Sequence, residues 1–269
     1  MATPSCDTLI ISDLHLGSEL SRARDAVRLL KRESFHRLIL LGDIFADLNF
    51  GRLKKDHWQF LSTIRKLSNP KRGIEVVWVE GNHDRGLAEM MAHLMGVRVY
   101  HEYKWEFAGM KHLAVHGHQF DGFVVNNVSI TSFGQWIYLF IQKLEPSRKY
   151  LSKWLDRLNT AWLRLSPKVC AGALAHARLR NAQRVFCGHT HHAMSETKNG
   201  IAYYNSGCWT TDIPTYITID GEGVHIHEYI QRSDDRDPGE ERGTVAADPA
   251  DLFGEAGLPG DTEYEDIYS

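Results

Sequence analysis

A layered α/β fold with its site along one strand-end rim is what this sequence predicts, and three observations carry it. Short apolar runs recur from Leu9 to Cys187. Helix-like stretches lie between several of them. Each run closes on glycine or a polar residue that could serve a ligand. Strands alternating with helices build layered sheets, and such sheets bind ligands beyond the carboxyl ends of their strands.

The elements follow in order. Leu9-Ile10-Ile11 reads as a buried strand and runs into Asp13-Leu14-His15. Ser21 to Lys31 has helical spacing, and Leu38-Ile39-Leu40-Leu41 then forms a second strand that ends on Gly42-Asp43. Asp56 to Lys66 is again helical, and Val76-Val77-Trp78-Val79 precedes Gly81-Asn82-His83-Asp84. Leu113-Ala114-Val115 leads into His116-Gly117-His118, and Val185-Phe186-Cys187 into Gly188-His189-Thr190-His191. The recurrent glycines suit tight turns and close backbone approach beside a ligand.

The five polar pieces supply seven donors: Asp13, His15, Asp43, Asn82, His116, His189 and His191. Oxygen and imidazole donors without thiolates suit Mn²⁺, Fe or Zn²⁺ in a reactive site rather than a structural zinc site. Seven exceed what one open catalytic ion takes, and they fit two divalent ions that share one carboxylate. A lone Asp-x-His or Gly-His-Thr-His arises by chance or satisfies a loop; five such pieces in order, each at a strand end, do not. His83 follows a donor directly and is the expected general acid, because imidazole titrates near neutral pH. Asp84 either holds that imidazole in one tautomer or caps the loop. Arg85 is the expected phosphate clamp. His118 and His192 adjoin donors and stand outside the donor set.

The set Asp13-x-His15, Gly42-Asp43, Gly81-Asn82-His83-Asp84, His116 and Gly188-His189-x-His191 resembles the calcineurin-like metallophosphoesterase superfamily, over about residues 7–230. The resemblance implies a four-layer αββα sandwich. It implies that Asp13, His15 and His191 hold one metal, that Asn82, His116 and His189 hold the other, and that Asp43 bridges them. Two cations about 3.5–4 Å apart share and acidify a water, present the resulting hydroxide in line to phosphorus, and neutralise the phosphate oxygens.

Composition narrows the picture. The 269 residues, 43% hydrophobic, can bury a sizeable core. The first strand starts by about residue 9, leaving no room for a signal sequence, and no apolar run nears the roughly 20 residues that span a bilayer. Cys6, Cys170, Cys187 and Cys208 have no CxxC spacing, so a reducing cytoplasm is the expected setting. Residues 231–269 carry twelve acidic residues against three Arg and read as a disordered acidic tail.

Residues 122–184 separate the His116 and His189 pieces and carry ten Lys or Arg against Glu145 and Asp156. Trp136, Tyr138, Trp154, Leu158 and Trp162 are interleaved with these charges. The expected organisation is therefore a core of 1–121 and 185–230, a helical basic and aromatic cap at 122–184, and the tail. Such a cap suits an acylated, anionic substrate at a membrane surface.

Motif order, chain length and the insertion resemble the UDP-2,3-diacylglucosamine pyrophosphatase group of lipid A biosynthesis. That resemblance implies Mn²⁺ as the metal, hydrolysis of an acylated nucleotide-sugar to UMP and diacylglucosamine 1-phosphate, and a peripheral place on the cytoplasmic face of the inner membrane. Two residues depart from the group's pattern: His83 stands where the group carries Arg, and Ala46 where it tends to carry Asp. A phosphodiesterase or phosphomonoesterase of small nucleotides or phosphoproteins is the alternative. A nuclease lacks a stacking platform in this sequence, and a non-catalytic scaffold would have lost donors that are all present.

Overall fold

The computed structural model describes residues 5–121 and 165–231. Most of the expected cap (122–164) and nearly all of the acidic tail (232–269) lie outside the described residues.

Two sheets stand at the centre. The first holds β1 (Cys6–Ile11), β2 (Phe35–Leu41), β3 (Glu75–Val79), β4 (Arg98–Tyr100), β10 (Thr215–Ile219) and β11 (Val224–Glu228), in the order β11-β10-β1-β2-β3-β4. Strands β1 to β4 run parallel, with Leu9 opposite Leu38 and Leu40 opposite Trp78. β10 and β11 extend the sheet antiparallel. The second sheet holds β5 (Tyr103–Phe107), β6 (Met110–Ala114), β7 (Arg184–Cys187), β8 (Met194–Lys198) and β9 (Ile201–Asn205), in the order β5-β6-β7-β9-β8. Its strands β6, β7 and β9 are parallel.

Side-chain alternation along these strands creates three cores. Leu9, Ile11, Leu38, Leu40 and Trp78 face outward onto the helices α1 (Ala23–Arg32), α2 (Lys55–Leu67) and α3 (Ala88–Met95), meeting Leu29, Phe60, Ile64 and Met91. The intervening Ile10, Ile39, Leu41, Val77 and Val79 pack between the sheets on Trp105, Ala114 and Phe186. On the far side Leu113, Val115, Val185 and Cys187 bury against Cys170, Ala173 and Ala177 of a fourth helix, α4, over residues 165–179. The order helix, sheet, sheet, helix is the αββα sandwich.

Two element boundaries differ from the sequence expectation. α1 begins at Ala23 rather than Ser21, because Ser21 Oγ donates to the Leu14 carbonyl (2.7 Å) and Arg22 N–H to the Trp209 carbonyl (2.9 Å). Those bonds hold residues 21 and 22 in the loop. Residues 165–184, assigned by sequence to the cap, pack as body. Their apolar side chains cover the second sheet, and the chain enters β7 at Arg184.

Candidate metal centre

All the sequence-selected donors sit in loops that leave the carboxyl ends of parallel strands: β1, β2 and β3 in one sheet, β6 and β7 in the other. The loops continue the ladders beyond the strands. Asp13 N–H donates to the Gly42 carbonyl (3.0 Å), His15 N–H to the Asp43 carbonyl (3.1 Å), and Gly188 N–H to the His116 carbonyl (3.0 Å). Asp13, His15, Asp43, His189 and His191 all have left-handed backbone, with φ between 49° and 66°. Asp, Asn and His tolerate that region better than most residues, but each such position still costs on the order of 1–3 kcal/mol. The flanking ladder bonds hold these conformations in place.

Three groups of donor atoms converge, each within 4.8 Å: Asp13, His15 and His191; His15, Asp43 and His83; and Asp43, His116 and His189. His191 Nε2 lies 3.2 Å from Asp13 Oδ1 and 3.2 Å from His15 Nε2. His116 Nε2 lies 3.2 Å from Asp43 Oδ2, and His83 Nε2 lies 3.7 Å from the same oxygen. His15 belongs to the first and second groups, and Asp43 to the second and third.

The residues fit bound cations. Asp13 Oδ1, Asn82 Oδ1 and His116 Nε2 are buried; Asn82 Oδ1 has no hydrogen-bond partner, while Asp13 Oδ1 faces His191 Nε2 and His116 Nε2 faces Asp43 Oδ2. Buried polar atoms are nearly always satisfied, so an unpartnered Asn82 oxygen and the closely grouped Asp and His donors suit a cation. The His116 ring is held in place, since its Nδ1–H donates to the Leu41 carbonyl (2.8 Å) and leaves Nε2 facing Asp43. Electrostatics agree. Burial and the His83 and His191 imidazoles push His15 down to about 3, which leaves a lone pair for a metal. Asp43 stays well below the usual carboxylate range despite its burial, because His83 and His116 face it. Against its own burial, His116 is raised to about 9 by Asp43 and Asp13, so a cation at its Nε2 would have to displace a proton.

The neighbouring residues separate by role. His83 Nδ1–H donates to the Ala46 carbonyl (2.8 Å) and its backbone N–H to Asp43 Oδ1 (2.9 Å). Of the two roles open to Asp84, the loop cap is the one its contacts serve: its carboxylate accepts from Ile44 N–H (3.1 Å), Phe45 N–H (3.0 Å) and Trp78 Nε1–H (3.3 Å). Arg85 is exposed at the end of the same loop. His118 is buried, its ring 5.6 Å from that of His116.

Two residues escaped the sequence reading. Asp121 Oδ2 lies 3.3 Å from His189 Nε2, and Cys208 hydrogen-bonds His191. An isolated Asp five residues after His116 and a single Cys after Gly207 carry no local pattern. Only the fold brings them to the ligands.

Comparison with known proteins now decides the family. Residues 7–193 match the profile of the calcineurin-like phosphoesterases. The chain belongs to that family. As a calcineurin-like phosphoesterase it is a metal-dependent phosphoester hydrolase, and the family implies divalent metals. UDP-2,3-diacylglucosamine hydrolase of Neisseria meningitidis serogroup A is 25% identical over 232 residues, 80% of this chain and 94% of that protein. The Neisseria gonorrhoeae enzyme of the same name is 24% identical over 232 residues, with the same coverage of both chains. A solved archaeal phosphodiesterase aligns at 17% identity with a TM-score of 0.45, covering 82% of this chain and 98% of that one. Among the described residues, no helix is long and apolar enough to cross a membrane.

Proposed function

We propose that this phosphoesterase hydrolyses the diphosphate of an acylated nucleotide-sugar, with UDP-2,3-diacylglucosamine as substrate and UMP and diacylglucosamine 1-phosphate as products. The observation that carries the hydrolytic reading is the convergence of Asp13, His15 and His191, of His15, Asp43 and His83, and of Asp43, His116 and His189, each group with its ligand atoms within 4.8 Å. The substrate reading is supported by the Neisseria relatives, matched over nearly their whole length, and by the basic, aromatic stretch of 122–164.

Asp13, His15 and His191 would hold one cation, Asn82, His116 and His189 the second, and Asp43 both. Mn²⁺ is the proposed metal; Fe and Zn²⁺ also suit this donor set. When bound, the pair supplies an acidified water and neutralises phosphate charge. The chain's own residues do the rest. His83, with Nδ1–H committed to Ala46, offers Nε2 toward the cavity and, as the doubly protonated imidazolium, gives its Nε2 proton to the leaving oxygen, returning to the neutral ring. Arg85 grips the phosphate from the exposed side of the same loop. Trp, Tyr, Lys and Arg of the 122–164 segment receive the acyl chains and bring the enzyme to the cytoplasmic face of the membrane.

A smaller phosphodiester is the second reading. It is favoured by His83, which stands where the lipid-directed group carries Arg. The deciding experiment is UMP release by the Mn²⁺-loaded enzyme from UDP-2,3-diacylglucosamine, with unacylated UDP-N-acetylglucosamine run in parallel. Strong preference for the acylated compound supports the proposal. Equal or absent turnover of both, with hydrolysis of an aryl phosphodiester, retains the metal centre and removes the lipid substrate.

A further inference from the structure

The structure assigns to Asp121 a positioning role: its carboxylate holds the His189 imidazole with Nε2 protonated, so that Nδ1 is the atom offered to a cation. This rests on the metal-binding reading above. Asp121 Oδ2 lies 3.3 Å from His189 Nε2, and both side chains are only 4% exposed. A ring nitrogen that donates to a carboxylate has no lone pair left for a metal, and a buried carboxylate behind a histidine commonly fixes both its tautomer and its orientation. Asp121 belongs to none of the three converging donor groups, whereas His189 does. The carboxylate therefore stands behind the imidazole, away from the ligand atoms.

The chain builds this support deliberately close to another ligand. After His116 it turns at Gly117 (φ 113°), and Phe120 N–H donates to the Gly117 carbonyl while Asp121 N–H donates to that of His118. α4 braces the turn from outside. A Cβ at Gly172 would come within 2.7 Å of Phe120 Cβ, and the Phe120 ring lies 5.6 Å from that of His176. One short stretch thus provides His116 and the carboxylate that orients His189. The two histidines would use opposite nitrogens: His116 has Nδ1 tied to Leu41, and His189 has Nε2 tied to Asp121.

Titration of Mn²⁺ into the metal-free full-length protein and its Asp121→Ala and Asp121→Asn variants tests the assignment. Asp121→Ala should bind one equivalent as the wild type does and a second about 10–100-fold more weakly. Asp121→Asn, whose Oδ1 still accepts from Nε2–H, should recover most of that loss. Long-range ¹H–¹⁵N spectra of the Zn²⁺-loaded wild type should show His189 protonated at Nε2. Wild-type affinity for both equivalents in Asp121→Ala overturns the assignment, even if its metal-free melting midpoint falls, since that pattern marks a structural role alone. A metal-bound Nε2 at His189 also overturns it. If the wild type binds no Mn²⁺, the metal reading itself fails and the assignment falls with it.

Discussion

Gly188 and Asp13 follow strands of different sheets, yet they pass so close that a Cβ on the glycine would overlap the Asp13 carboxylate and stand 2.6 Å from Ser12 Oγ. The contact locks the two sheets at the centre, because His189 N–H also donates to Asp13 Oδ2 (3.0 Å). In Gly188→Ala the added methyl should force Asp13 aside. Overpacking of this kind costs about 1–3 kcal/mol. A lowered melting midpoint together with reduced Mn²⁺ content is the expected result; a variant normal in both would show that the loops yield freely.

Asp43 belongs to two of the three donor groups, so its charge should matter more than its shape. Asp43→Asn keeps an oxygen for the His83 backbone N–H and should fold. Activity should fall by at least ~10²–10³-fold, the scale seen when a preorganised electrostatic group is lost. Bound metal, measured by elemental analysis, should fall with it. Near-normal turnover would contradict a shared bridging carboxylate.

His83→Ala should behave differently. The metals should stay while kcat drops by ~10²–10⁴, the usual range for a lost general acid. Steady-state kinetics combined with metal content separates the cases. Loss of metal would make His83 a ligand, in keeping with its place beside His15 and Asp43.

His112 predicts a pH effect on stability away from the site. It is buried, stacked near Trp105 and Phe186, and neutral: Nδ1–H donates to the Met110 carbonyl (2.8 Å), while Nε2 faces Arg184 Nη1 (3.5 Å). Burial, with Arg184 nearby, pushes it down to about 4 in the folded protein. The unfolded chain therefore takes up the proton first, and stability falls as pH drops from about 6.5 toward 4. Between pH 7 and 5 the loss should be about 2 kcal/mol. Denaturant unfolding of His112→Phe should show a pH dependence smaller by that amount; an unchanged slope would mean His112 is not the group responsible.

Much of the centre was legible in the sequence because each ligand loop directly follows its strand. Ile11 to Asp13, Leu41 to Asp43 and Cys187 to His189 are local junctions, so strand pattern and donor appear in one window. Asp84 was ambiguous because a carboxylate beside a histidine can orient it or cap a loop. The contacts that cap the loop come from the Ile44 and Phe45 amides, some forty residues away. Residues 165–184 were assigned to the cap because their charges continue the basic stretch. Cys170, Ala173 and Ala177 face a sheet whose presence no local spacing reveals.

The sequence by itself determined the donor inventory and its order, since metal chemistry is set by side-chain type. It also determined the continuous apolar runs of β1, β2 and β7, which strands buried on both faces must show. Tertiary structure alone decided which donors meet in space, because Asp13 and His191 are 3.2 Å apart across two sheets. It likewise decided that Asp121 backs His189 and that Gly188 clears Asp13. Those relations come from the packing of one sheet on another through Ile10, Leu41 and Phe186, a long-range apolar contact that brings both strand-end rims together.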